Sequence, residues 1–156
     1  MRFAIHAEVT DETFARLRHG RAATGQIFLT IGQQHFPAER WDDFVLALLG
    51  AWISNALLFE GFVVEIENRF MDGPWSFRVR REPGAAALTV MGLRGGEVTT
   101  PTVQVPVRRY FALLRGAAKS VLNDLRAGGV SEGVDVDDLR RKLRDLIELE
   151  ARLRAS

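Results

Sequence analysis

The side chains best suited to acid–base work or metal ligation near neutral pH are His6, His19 and His35. They are far apart in the chain, and none has a chemical partner close by in sequence. The chain contains no cysteine, which excludes disulfides, thiolate zinc sites and cysteine nucleophiles. It also lacks H-E-x-x-H, G-x-S-x-G and G-x-x-x-x-G-K-S/T. Asp42 and Asp43 are adjacent carboxylates that could hold a cation or share a proton. At the start of a helix, the simpler role for them is to complement the helix dipole. Asp72 lies in a turn sequence, where aspartate is a turn former. Trp41, Trp52 and Trp75 fall on apolar stripes, so they are expected in the core rather than around a ligand. Phe14-Ala-Arg16-Leu-Arg18-His19-Gly-Arg21 is the one local basic run. It raises nucleic-acid contact by Arg16, Arg18 and Arg21 as a weaker possibility than a solvated, edge-protecting strand.

The frame that must position these groups is one domain of 156 residues, spanning 1–156. A hydrophobic share of 47% and a charged share of 26% exclude a disordered chain or a fibre. The net charge of +1 supplies no global field to recruit nucleic acid or a membrane. The N-terminus, MRFAIHAEV, alternates and lacks the unbroken apolar run of a signal peptide. The most apolar segment, 44–59, is interrupted by Gly50, Ser54 and Asn55 and is shorter than the ~20 residues of a span. The expectation is a soluble, unexported, cytoplasmic protein with no cofactor.

Residues 2–9 alternate and predict a half-buried strand, residues 14–19 are a candidate second strand, and residues 25–31 are a clear one. Pro37 predicts the opening of a helix, helix 37–60, whose apolar positions run from Trp41 to Leu57 at i, i+3, i+4 spacing and which stops at Gly61. A second helix runs from Pro106 to Gly128-Gly129 on a stripe from Val107 to Leu125. A third, 135–154, is capped by Asp135 and carries i, i+4 charge pairs worth only ~0.2–0.5 kcal/mol each. It could pack on its own domain or exchange between subunits.

The centre of the chain carries the strongest pattern. Phe62, Val64, Ile66 and Phe70 alternate with Val63, Glu65, Glu67 and Arg69, and Trp75, Phe77 and Val79 alternate with Ser76, Arg78 and Arg80. Pairing Phe70 with Trp75 around Met71-Asp72-Gly73-Pro74 sets Ile66 against Val79, Glu67 against Arg78 and Glu65 against Arg80. Carrying the register through Pro83-Gly84 sets Val79 against Leu88, Phe77 against Val90 and Trp75 against Gly92. Gly95-Gly96 then sets Leu93 against Val98 and Met91 against Thr100. Pro101 makes the last strand an edge or ends it. The expected fold is α+β, an antiparallel β-meander with one helix after the N-terminal strands and two C-terminal helices, all on one face.

The helices are expected to cover Phe62, Val64, Trp75 and Phe77. The other face then presents Glu65, Glu67, Arg69, Arg78, Arg80, Met91 and Leu93, a mixed arginine and aliphatic surface suited to a protein interface. Phe36-Pro37-x-x-x-Trp41-x-Asp43-Phe44 and Phe70-Met71-Asp72-Gly73-Pro74-Trp75, followed by an Ala/Leu-rich helix, resemble small bacterial immunity proteins of polymorphic toxin systems. The resemblance spans about residues 24–127 and its motifs are structural. It implies a non-catalytic protein that blocks a cognate toxin domain by binding it. The alternative is a small-molecule-binding or enzymatic domain with its site between helix 37–60 and the sheet.

Overall fold

Alternation, turn chemistry and helical stripes together give the α+β architecture in the computed structural model, which describes residues 2–155. Strand β1 (Phe3–Glu8) is followed by α1 (Asp11–Arg18), β2 (Gly25–Ile31), β3 (Gln34–Phe36), β4 (Asp42–Asp43) and α2 (Val45–Leu57). Strands β5 (Glu65–Arg69), β6 (Trp75–Arg81), β7 (Ala87–Arg94), β8 (Glu97–Val98) and β9 (Val103–Pro106) come next, then α3 (Val107–Ala127) and α4 (Val134–Ala155). A four-stranded antiparallel sheet has the order β1-β2-β3, with β4 also paired to β2. A five-stranded antiparallel sheet has the order β5-β6-β7-β8, with β9 also paired to β7. Helix α2 touches β2 and β5, α3 touches β1, β7 and β9, and α4 lies outside them on α2 and α3.

The β5–β6 register follows the sequence pattern: Glu65 faces Arg80, Ile66 faces Val79 and Glu67 faces Arg78. The next register is two residues away from the expected one, with Val79 facing Val90, Phe77 facing Gly92 and Trp75 facing Arg94. Residues 82–86 form a longer connection than Pro83-Gly84 alone, held by Ala85 N donating to Glu82 O and Arg81 Nε donating to Ala85 O. A shift of two preserves which side chains face inward. Leu93 faces Val98 as expected. Met91 does not pair with Thr100, because the ladder breaks around Pro101 and resumes in β9 with Val90 facing Val103.

Three segments differ from expectation for local reasons. Residues 14–19 belong to α1 and the residue that follows it, not to a strand. Thr10 precedes the helix, its N–H donates to Thr13 Oγ1 at 2.8 Å, and Asp11 and Glu12 occupy the first turn with Arg16 and Arg18 in the last. Pro37 does not open α2, because residues 41–43 are first used by the sheet: Ile27 N donates to Trp41 O, and Asp42 and Asp43 pair with Gln26 and Gly25. Phe62 and Val64 are not covered by helices. They lie in the connection that precedes β5, and Phe62 is fully exposed at 103%. The stripe predicted for α3, Val107 to Leu125, is buried throughout.

The two sheets meet through an aromatic group. Phe36 of β3 packs edge-on against Phe70, which follows β5, and against Trp75 of β6, with ring centroids 5.9 and 5.6 Å apart. Gly92 makes this approach possible, since a Cβ there would stand 2.7 Å from Phe36 Cε2 and from Thr100 Cγ2. Gly92→Ala is therefore expected to destabilise the fold by about 1–3 kcal/mol, read as a lower denaturation midpoint at unchanged slope in urea.

Candidate functional site

The outer side of the five-stranded sheet is built from three cross-strand rows. Register and alternation place Glu65, Arg80, Thr89 and Gln104 in one row, Glu67, Arg78 and Met91 in the next, and Arg69, Ser76, Leu93 and Val98 in the third. The inner side carries Ile66, Phe77, Val79, Leu88, Val90, Val103 and Val105, all buried under α2 and α3. Of the expected surface residues, Glu65, Glu67, Arg69 and Arg80 are exposed and Arg78 and Met91 are partly so. Leu93 is a correction. It is 0% exposed, a central position with Ser76 and Val98 in register on either side, and it presents nothing to a partner. Glu65 lies 3.8 Å from Arg78, Glu67 accepts from Ser76 Oγ at 2.7 Å, and Arg80 lies 2.9 Å from Glu82. Such exposed pairs add little stability and leave the charges available.

The space between α2 and the sheet, where a ligand site was the alternative, is filled by side chains. Trp52 packs edge-on to Phe77 and Phe70 at centroid distances of 4.9 and 5.2 Å, and its Nε1 donates to Arg69 O at 3.1 Å.

Asp42 and Asp43 have separate roles. Asp42 is exposed, whereas Asp43 is 2% exposed and its carboxylate is fully engaged. Asp43 Oδ1 accepts from Phe44 N at 2.8 Å, and Oδ2 accepts from Trp41 Nε1, Met71 N and Asp72 N at 3.2, 3.0 and 3.1 Å. It ties β4 to the β5–β6 turn, 28 residues away. Asp43→Asn is expected to cost about 1.5–3 kcal/mol, because an amide nitrogen replaces one acceptor. Hydrogen exchange should show faster amides at Met71 and Asp72.

The histidines correct a second expectation, since His6 and His35 are not isolated. On the outer side of the four-stranded sheet, Thr30 stands between them. His6 Nε2 is 2.7 Å from Thr30 Oγ1, and His35 Nδ1 is 3.5 Å from the same oxygen. Phe28 stacks on His6 at 4.4 Å and meets His35 edge-on at 5.5 Å. Their joint placement follows from pairing β1 with β2 and β2 with β3, which sets His6 against Phe28 and Thr30 against His35. His19 is separate and exposed, directly after α1. Among the described residues no three of His, Cys, Asp and Glu converge as metal ligands.

Burial, with the nearby charges of His35 and Arg2, holds the His6 pKa below its ordinary 6.5. The unfolded chain then binds the proton first, so stability declines as pH falls below about 6.5 and levels off once folded His6 is protonated. Urea titrations at about pH 7.5 and 5.5 should show a smaller loss on acidification for His6→Gln than for the parent chain.

The basic run is divided by α1. Arg16 donates through Nε to Ala22 O at 2.6 Å and lies over the Phe44 ring, while Arg18 and Arg21 are exposed beside residues 129–136. No described helix is long and apolar enough to cross a membrane. No protein-family model, curated protein or solved structure matches the chain.

Proposed function

We propose that this chain is a non-catalytic protein-binding domain of the immunity type, which works in the cytoplasm and neutralises a cognate bacterial toxin domain by occlusion. The supporting observation is the outer side of the five-stranded sheet, where Glu65, Glu67, Arg69, Arg78, Arg80 and Met91 stand in register, exposed or partly so, over a buried inner side. Paired columns of acids on β5 and arginines on β6 suit a partner with complementary charge. Charge complementarity of this kind sets association rate and partner choice more than raw affinity. Met91 and the exposed Val98 add apolar contact beside the charges.

The test is co-expression with the toxin domain encoded by an adjacent gene, followed by calorimetry on the purified pair. Protection and a one-to-one complex are expected. The double substitution R78E/R80E should weaken binding about tenfold or more, with the thermal midpoint little changed. Absence of protection, or unchanged affinity in the double variant, would overturn the assignment.

A further inference from the structure

The outer side of the four-stranded sheet, away from the surface proposed to bind protein, holds a cleft of about 730 Å³ lined by Arg2, Thr30, Gly32, Gln33, His35 and Pro101. That volume falls in the range of small-molecule sites. Its polar groups are a guanidinium, an amide, a hydroxyl and an imidazole, and no carboxylate is among the lining residues. Arg2, Gln33 and His35 are exposed, so they can turn toward a ligand, whereas Thr30 is only 4% exposed and is fixed by its contact with His6. When His6 Nε2 carries the imidazole proton and donates it to Thr30 Oγ1, and His35 Nδ1 also carries a proton, the hydroxyl proton is left for an acceptor in the cleft. A guanidinium presents several donors in a plane, which matches two oxygens of a carboxylate or phosphate. The rings of Pro101 and His35 and the methylene stem of Arg2 supply apolar surface beside these donors.

We infer that this cleft binds a small organic oxyanion, a carboxylate or phosphate carried on a flat apolar body, with Arg2 and His35 on the anionic group and Thr30 as a fixed hydroxyl donor. The preference is local. The neighbouring groove on the His6 side is lined by Glu8, Glu39 and Asp124 beside Arg40, which disfavours a second anion there.

Benzoate and phenyl phosphate, each titrated into the full chain and followed by amide and side-chain NMR shifts, test this directly, with benzylamine as the cationic control. Saturable binding of either anion is expected, with shifts centred on Thr30 and His35, and the anion that binds more tightly names the charged group. Arg2→Gln, an exposed change that leaves the fold intact, should weaken binding about tenfold. Thr30→Val should weaken it as well. No saturable shift up to about 10 mM of either anion, equal binding of benzylamine, or an Arg2→Gln affinity equal to the parent chain would each overturn the inference.

Discussion

A buried carboxylate joins the two sheets, and the geometry of the molecule depends on it. Asp43 belongs to a two-residue strand of the first sheet, yet two of its four donors come from the turn between β5 and β6 of the second. A charge with so little access to water is tolerable only when its oxygens are filled with donors. The arrangement therefore fixes where that turn sits relative to β4. With the turn fixed, Phe36 can lie over Gly92 and against Phe70 and Trp75, and α2 can bring Trp52 under the same group of rings. The buried backing of the outer sheet surface follows from that packing.

The helices are held by contacts of their own. Helix α1 is held by Phe14, whose ring occupies the space a Cβ on Gly128 would need, so the end of α3 and the start of the chain are packed as one unit. Helix α4 is attached through polar contacts as well as leucines. Arg115 of α3 pairs with the nearly buried Glu150, and Arg152 reaches Glu60 at 3.0 Å beyond the end of α2. Glu150 Oε1 is left without a partner, a local cost that the Arg115 pair offsets in part.

Much of the fold was legible because local signals agreed with one another. The β5–β6 register could be read from the chain since apolar facing apolar and acid facing base select one alignment. The stripe of α3 was legible for the same reason at a different period. The β7 register is not set by Pro83-Gly84 alone, because residues 82–86 all belong to the connection, and the arginines of α1 mimic an edge strand while its helix signal lies in the Thr10 and Thr13 pairing. The candidate sites were harder to read. His6, Thr30 and His35 meet only through two strand registers, and the donors to Asp43 lie far along the chain, so neither grouping leaves a spacing motif. Leu93 has the right alternation for the surface, but alternation cannot reveal that a position with Ser76 and Val98 in register on either side is buried.

The contact between Trp52 and the backbone of β5 has a wider effect. Strand β5 is the free margin of its sheet, and pairing places the N–H and C=O groups of Glu65, Glu67 and Arg69 outward. The indole of Trp52 occupies the Arg69 carbonyl, and three charged side chains stand along the same short strand. A growing fibril needs a continuous row of open backbone groups on a weakly charged strand. Here that row is blocked at one end and charged along its length, which disfavours the addition of a second copy along this strand.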